Sequence, residues 1–396
     1  MIKGRDIIVH GLQSLDSTIG SNCINIANEF AKNNRVLYVN YPLDRLTLLR
    51  YSSNPLITKR KDILNGKQPD LVKVSDNMWN LNPKTKLESI SKIGYKPLFS
   101  TLNKVNNKRY VKQIHKAIDE LGFSNYIIFN DSDFYRAYHF KELLKPALTI
   151  YYTRDNMRAT DFFKNNGAYF EDRLMKKSDL VVSNSAYLND IAKKNNPNSV
   201  YVGQGCDISL YDKKLVKEVP EDIKPIPSPI IGYIGALKSS RLSIEVLEHI
   251  AVSKPEWNVV LVGPEDEVFK ASNLHNINNV HFLGSKNEKD LPNYLNVFDV
   301  AINPQSLNEL TIGNYPRKID EYLAMGKPVV ATKTITMGVF DEFTYLAENK
   351  EQYVELISKA LEEDSEELSK SRLDFARTHT WENNVNAIYD AIKNTV

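Results

Sequence analysis

The sequence predicts an α/β chain built of two doubly wound domains, one after the other, facing a cleft. Three observations predict it. The chain has 396 residues, more than one ordinary core accommodates. Short β-rich runs alternate with helical stretches in two successive series. A turn-rich segment at 207–229, with Pro220, Pro225 and Pro227, separates the series. The boundaries that follow are 1–206 for the first domain, 207–229 for a linker, 230–378 for the second domain, and 379–396 for a last helix able to pack back on the first.

In the first series, Asp6–His10 and Arg35–Asn40 read as strands flanking a helical stretch, Gly20–Lys32. That stretch sets Ile24, Ala27, Asn28 and Ala31 at helical spacing, as a crossover between parallel strands does. Later strands are expected at Tyr126–Phe129, Leu148–Tyr152, Leu180–Ser183 and Val200–Gly203, with a helix at Tyr187–Lys194. Between 45 and 100 the pattern is weak and basic, and no element is assigned. The second series has strands at Ile230–Ile234, Asn258–Val262, Val280–Leu283, Phe298–Ile302 and Pro328–Ala331. Helices lie near Leu242–Ala251, Asp290–Asn296 and Pro316–Met325, and Trp381–Lys393 is the last.

Composition narrows the function classes. With 42% hydrophobic and 25% charged residues the chain is globular. Its longest apolar stretch, around Pro229 to Leu237, is about half the length of a membrane span. No secretory leader is read at the start, and Cys23 with Cys206 fits neither a disulfide framework nor a zinc site, so a cytoplasmic address is expected. No His/Cys/Asp cluster has ligand spacing for a metal. Nucleic-acid modules and basic residues interleaved with aromatics are not found. The net charge of +2 hides an asymmetry: residues 1–205 carry 31 Lys and Arg against 19 Asp and Glu, and the remainder carries 20 against 30. The first half therefore suits an anionic partner, with a solvated lysine-rich face as the plainer alternative. The surplus concentrates in 51–116, with 14 basic and 4 acidic residues, beside Trp79, Tyr95 and Phe99. Reversible docking on an anionic membrane surface is one expectation from it.

The strongest local pattern is Tyr315-Pro-Arg-Lys-Ile-Asp-Glu-Tyr-Leu-Ala-Met-Gly-Lys-Pro-Val-Val-Ala331. Pro316 stands where a first helical turn tolerates proline, and Gly326 with Pro328 ends the helix. Ile319, Tyr322 and Leu323 share a core face; Lys318, Glu321 and Met325 share another. The turn from Thr311 through Gly313 to Asn314 leads into the helix N-terminus, whose free N–H groups suit a diphosphate. The plainer alternative is a Lys318–Glu321 surface pair worth about 0.2–0.5 kcal/mol. In the first half, the turn Ser17-Thr-Ile-Gly-Ser21 follows a strand and opens a helix, so Thr18 and Gly20 are candidates for holding acceptor or donor oxygen. This turn is neither a dinucleotide fingerprint nor a P-loop, so hydride transfer and ATP hydrolysis lose support. Asp155, just past a strand end, is a candidate hydrogen-bond acceptor or general base, or else a helix cap. Asp131 and Asp133 have a weaker form of the same case. Arg154 and Arg158 are read as phosphate ligands or solvated charge, His139 as structural, and Glu171 as an ordinary exposed residue.

These residues carry a resemblance. Glu321, Ala324, Gly326, Pro328 and Val329 resemble the donor-site signature of GT-B glycosyltransferases of the group 1 type (glycosyltransferase family 4), Glu-x7-Glu followed by Ala-Met-Ala-x-Gly-x-Pro-Val. The segment from Ile231 to Arg241, including Gly235, is similar to the strand and loop that open the family's donor domain. Val202–Asp207 is similar to its domain-junction turn, and Ser178–Ser185 to a strand ending at its cleft. Tyr151-Tyr-x-x-Asp155 and Val36–Asn40 are similar to the subgroup of teichuronic-acid-biosynthesis-type glycosyltransferases.

The resemblance implies a GT-B fold of two Rossmann-like domains, acceptor domain first and nucleotide-sugar domain second. It implies transfer from a UDP- or GDP-linked donor to a glycan or lipid-linked acceptor in surface polysaccharide synthesis, with retention and without cofactor or metal. Glu321 inherits the ribose contact and Arg241 the family's diphosphate-binding lysine. The chain departs from the pattern twice: Gly313 stands where the family has its first Glu, and Ala236 where it has an arginine. The backbone N–H of Gly313 or the side chain of Asn314 is a candidate replacement for the first, and Lys238 or Lys318 for the second. The alternative implied by the departures is a catalytically silent GT-B protein that partners an active transferase; a nucleotide-sugar epimerase is a third reading.

Overall fold

The near-continuous apolar strands of the first half become members of one sheet, as strands covered on both faces do. The computed structural model describes residues 1–17, 21–51, 54–309 and 311–395. They form two units: Met1–Gly203 with Asn384–Val396, and Gln204–Asn383.

Unit 1 begins with β1 (Asp6–Gly11), α1 (Asn22–Ala31) and β2 (Arg35–Val39). The stretch without a sequence assignment folds as α2 (Arg45–Arg50), α3 (Pro55–Leu64), β3 (Leu71–Ser75), β4 (Met78–Leu81) and the start of α4 (Lys96–Leu121). Then follow β5 (Ile127–Asp131), α5 (Phe140–Leu144), β6 (Leu148–Thr153), α6 (Gly167–Lys177), β7 (Leu180–Ser183), α7 (Ala186–Lys193) and β8 (Ser199–Tyr201). The strand order is β3-β4-β2-β1-β5-β6-β7-β8. All pairings are parallel except β3 with β4. Side-chain caps start the short helices: Ser21 accepts from Ile24 N, and Asp44 from Leu46 N and Thr47 N.

Helix α4 has 26 residues and gave no signal because its buried stripe is half polar. Phe99, Asn103, Asn107, Tyr110, Ile114 and Ala117 recur at helical spacing and all are buried. Two of its asparagines, Asn106 and Asn107, serve backbone groups. Asn107 Nδ2 donates to Tyr135 O at 3.0 Å while its Oδ1 accepts from His139 N at 3.0 Å. Asn106 Nδ2 donates to Glu88 O and its Oδ1 accepts from Glu88 N. Burial with such partners satisfies the polar groups but erases the apolar period.

Unit 2 contains β9 (Ile230–Ile234), α8 (Ile244–Ser253), β10 (Asn258–Val262), α9 (Glu267–Lys270), β11 (Val280–Gly284), α10 (Leu291–Val297), β12 (Val300–Asn303), α11 (Lys318–Ala324) and β13 (Val329–Thr332). It closes with β14 (Tyr345–Ala347), α12 (Lys350–Glu363) and α13 (Glu366–Ala376). The sheet is parallel in the order β11-β10-β9-β12-β13-β14. Alternate residues sort to two cores, as the pleat dictates. Ile230, Ile234, Val260 and Val262 enter one, Ile231, Tyr233, Val259 and Leu261 the other. Segment 207–229 lies in this unit, where Tyr211 and Ile223 join the first core. Helix α14 (Trp381–Lys393) starts in unit 2, and its residues from Asn384 onward belong to unit 1. There Asn384 Nδ2 donates to Val202 O and Gly203 O, and Asn34 Nδ2 donates to the Tyr389 hydroxyl.

Two backbone contacts shape the end of β9. Gly235 has φ +144° and Gly263 φ +154°, and a Cβ on Gly263 would lie 2.0 Å from the carbonyl oxygen of Gly235. At the end of α11, Gly326 takes φ +66°, the left-handed C-terminal position that its sequence context predicts. Lys327, next in line, is half-buried and donates from Nζ to the carbonyls of Asn296 and Phe298, each at 2.7 Å, where α10 ends. Desolvation lowers its pKa to about 8.

Gly263→Ala is expected to lower unfolding free energy by about 1–3 kcal/mol, because backbone cannot yield as a side-chain tip does. Urea denaturation checks this; an unchanged midpoint would show that the contact relaxes at no cost.

Candidate functional site

In open parallel sheets the crevice forms where neighbouring strands send their chains to opposite sides. In unit 2 that point lies between β9 and β12, and a cavity of about 300 Å³ opens there. Of the residues singled out by sequence, Gly235, Arg241, Thr311, Asn314, Lys318 and Glu321 line it. Lys238 and Gly313 do not. Lys238 is exposed and its carbonyl accepts from Arg241 N and Leu242 N, both at 2.8 Å; Gly313 is buried. The structure adds Tyr233, Gln305, Tyr315 and Arg317 to the wall.

Each side chain has a distinct setting. Lys318 Nζ donates to the Tyr233 hydroxyl at 2.8 Å and lies 4.4 Å from that ring's centroid. A Cβ on Gly235 would meet Lys318 Nζ at 2.7 Å and the Tyr233 oxygen at 2.9 Å, so only glycine leaves that pair in place. Glu321 Oε2 accepts from the Tyr211 hydroxyl at 3.2 Å, and Oε1 lies 3.7 Å from Arg317 Nε. Burial raises the Glu321 pKa above the ordinary carboxylate value, against the pull of Arg317 and Lys318. The alternative of a Lys318–Glu321 surface pair thus gives way to separate partners for each. Thr311 holds its own turn: its hydroxyl donates to Ser306 O, and its N–H donates to Asn308 Oδ1 at 3.1 Å.

The helix N-terminus needs a correction. Helix α11 starts at Lys318, two residues after Pro316. The N–H groups of Ile319, Asp320 and Glu321 already donate to Pro316 O or Arg317 O, at 2.9, 3.1 and 3.4 Å. A tight preceding turn therefore takes the donors that the sequence offered to an anion.

Sequence reasoning missed the layer beneath. Asp320 is fully buried. Its Oδ1 lies 2.7 Å from His379 Nδ1 and accepts from the Tyr315 hydroxyl at 3.3 Å, while Oδ2 has no partner among the described residues. Burial raises the Asp320 pKa, and His379 opposes the shift. His379 lies 59 positions away in the chain, so no local spacing could pair it with Asp320.

In unit 1 the carboxylates at strand ends are held by arginines. Asp131 is fully buried and accepts from Arg154 Nε at 2.8 and 3.0 Å. Arg154 Nη1 donates to Asp155 Oδ2 at 2.9 Å. The strong attraction of Asp131 and Asp155 raises the Arg154 pKa against desolvation. Glu171 is buried, not exposed as the sequence suggested. It accepts from the Tyr151 hydroxyl at 2.7 Å and from Arg158 Nε, and Arg158 Nη2 reaches Asp172 Oδ1 at 2.6 Å. Arg154 and Arg158 are thus members of partly buried ion pairs and not solvated charge. His139 is half-buried with its pKa lowered by desolvation, and its N–H donates to Asn107, in keeping with a structural part. Thr18 and Gly20 lie outside the described residues.

Comparison with known proteins agrees with this architecture. Residues 228–363 match the family described as Glycosyl transferases group 1. The chain is 26% identical over 227 residues to TuaH of Bacillus subtilis (strain 168), named as a teichuronic acid biosynthesis glycosyltransferase. That match covers 53% of this chain and 56% of the relative, about half the length of each. Sucrose-phosphate synthase from Thermosynechococcus elongatus superposes with a TM-score of 0.69 at 14% identity, covering 98% of both chains. Anabaena Alr3699/HepE in complex with UDP gives 0.67 at 14% identity, covering 98% of this chain and 100% of the other. The fold is therefore GT-B, two Rossmann-like α/β domains on one chain. More particularly, the segment that matches the group 1 family lies within unit 2.

Asp320 gives this site a pH signature. Because its folded pKa is raised above the ordinary 3.8, the folded state holds that proton more tightly than the unfolded chain. Its contribution is greatest below the unfolded value and is lost as pH rises through the folded one. Asp320→Asn should therefore flatten part of the fall in stability from about pH 4 upward. Denaturant titrations of parent and variant across that range decide it; parallel curves would remove Asp320 as the source.

Proposed function

We propose that this protein is a retaining glycosyltransferase of bacterial surface polysaccharide synthesis. It transfers a sugar from a UDP- or GDP-linked donor in the unit 2 cavity to a glycan or lipid-linked acceptor. The observation that carries the reading is the convergence of Arg241, Lys318 and Glu321 on one cavity at the β9/β12 switch point. Glu321 receives the ribose hydroxyls. Arg241 and Lys318 face the diphosphate and stabilise the charge that develops as the nucleoside diphosphate departs, with Lys238 a further cation nearby in sequence. Electrostatic stabilisation of this kind is usually a large catalytic term. The acceptor hydroxyl attacks on the face that the leaving group vacates, its proton passing to the leaving phosphate oxygen. The reaction needs no resident cofactor or metal.

A membrane surface is the proposed location of the acceptor. The structure revises which residues support it. Phe99 is fully buried, Trp79 is half-buried, and Arg60 is buried against Asp16. Exposed instead are Leu46, Leu49 (74%), Tyr51 and Leu56, on and next to α2 and α3, with Tyr95 at 71%. Arg45, Arg50 and Lys59 are exposed along the same stretch. No helix among the described residues is long and apolar enough to cross a membrane.

Binding and turnover test the proposal. Glu321→Gln should weaken nucleotide affinity by about 1.5–3 kcal/mol, the range for a hydrogen bond to a charged group. Arg241→Ala should lower turnover about a hundredfold. Nucleotide binding without release of nucleoside diphosphate, under any acceptor, would favour the silent partner instead.

For the membrane, co-sedimentation with phosphatidylglycerol vesicles should occur at low salt and fall at high salt. Leu49→Ser with Leu56→Ser should weaken it. Equal recovery with neutral vesicles, or none with either, sinks the idea.

A further inference from the structure

Unit 1 has its own switch point, between β1 and β5, and a cavity of about 440 Å³ opens there. Loops leaving the carboxyl ends of four strands wall it: Leu12 follows β1, Tyr41 follows β2, Arg136 follows β5, and Met157 and Phe162 follow β6. Ile57 of α3 forms part of the rim. The wall is mostly apolar, with one cationic group, Arg136, and one carboxylate, Asp44, set in it.

The cationic group is anchored from behind. Arg136 Nη1 donates to Asp133 Oδ2 at 2.7 Å. Asp133 is fully buried, and its Oδ1 accepts from Arg136 N at 2.9 Å and Tyr135 N at 3.3 Å. His10 Nε2 lies 3.2 Å from Asp133 Oδ2, and the Tyr110 hydroxyl lies 3.0 Å from His10 Nδ1. Rings flank the guanidinium as well, with centroids 4.7 Å away for Tyr41 and 5.0 Å for Phe162. The side chain is 15% exposed.

A guanidinium has five N–H donors in a fixed fork, and among the described residues Asp133 is its only acceptor. The other polar groups of the wall are engaged elsewhere. Asp44 accepts from Leu46 N, Thr47 N and the Thr47 hydroxyl, and the Thr160 hydroxyl donates to Met157 O. The cavity thus offers a guest several aligned donors and an apolar surround. A planar cation held on one edge takes an oxyanion at another, and does so more strongly where water is scarce.

We infer that this cavity is a second ligand site, in which Arg136 receives a phosphate or carboxylate carried on an apolar body. The buried network of Asp133, His10 and Tyr110 fixes the fork, so little is lost in ordering it on binding. The site assignment stands on unit 1 alone. That its guest is the acceptor rests on the transferase reading given above.

The test is calorimetric titration of the full chain with geranyl phosphate, with geraniol and inorganic phosphate as its two halves. Geranyl phosphate should bind at least tenfold more tightly than either half. Arg136→Lys, which keeps a cation beside Asp133, should weaken it tenfold or more, and Ile57→Trp should abolish it. Both variants should bind UDP as the parent does, which separates loss of this site from loss of the fold. Geranoate in place of geranyl phosphate tells carboxylate from phosphate, and binding of either upholds the site. Equal affinity for geraniol, no effect of Arg136→Lys, or no binding of any probe overturns it. A chain that binds geranyl phosphate but no nucleotide keeps this site and loses the transferase; the reverse result does the opposite.

Discussion

Each sheet of this protein has one strand pair from which the chain runs off in opposite directions, β1 with β5 and β9 with β12. Helices then cover both faces, and at that pair alone the loops diverge. The divergence leaves a crevice at the carboxyl ends that no core residue can fill. Almost everything functional follows from it. The two cavities described above open at those points, and the side chains with chemistry to offer lie on the segments that follow the strands. Gly235 and Gly263 show how closely the constraint is enforced, since one backbone carbonyl occupies the space that a second Cβ would need.

Charge at these strand ends is handled in pairs. Asp131 with Arg154, Asp133 with Arg136, and Glu171 with Arg158 each set a carboxylate against a guanidinium where water is largely excluded. Such pairs add little net stability, because desolvation offsets most of the attraction, yet removing one partner costs roughly 3–5 kcal/mol. Their consequence is geometric: a guanidinium fixed on one side presents its remaining donors in a defined direction. Asp320 is the variation on this theme. Its partner is a histidine, one of its oxygens has no partner among the described residues, and its proton affinity is raised.

The sequence was legible wherever burial followed a simple period. The strands Arg35–Val39 and Asn258–Val262 are buried after their first residue because both faces are covered, and the sequence announces them. It was silent for α4, whose buried stripe uses asparagines that bond backbone, and for β3, whose residues are almost all exposed. The Gly326-Lys-Pro motif ended a helix as read, but Lys327 proved to serve carbonyls of α10. The donor-side cavity was largely readable because its residues cluster within two segments, 231–241 and 311–321. The pairing of Asp320 with His379, and of Asp133 with His10, joins positions far apart in sequence. Only folding brings them together.

The partner of Lys318 bears on how a cavity lacking an arginine at position 236 can still grip phosphate. Arg317 lies 3.7 Å from Glu321, so part of its field is cancelled where a ligand would feel it. Lys318 donates instead to the neutral Tyr233 hydroxyl, and a hydroxyl orients an ammonium without neutralising it. Nζ has two further donors after the bond to Tyr233. Its position over the Tyr233 ring also places it against the negative face of the aromatic quadrupole, which holds a cation without a counter-ion. Gly235 makes that arrangement possible by leaving room for Nζ. In the proposed reading the charge missing at Ala236 is replaced from α11, by a cation aimed through a tyrosine rather than through a carboxylate.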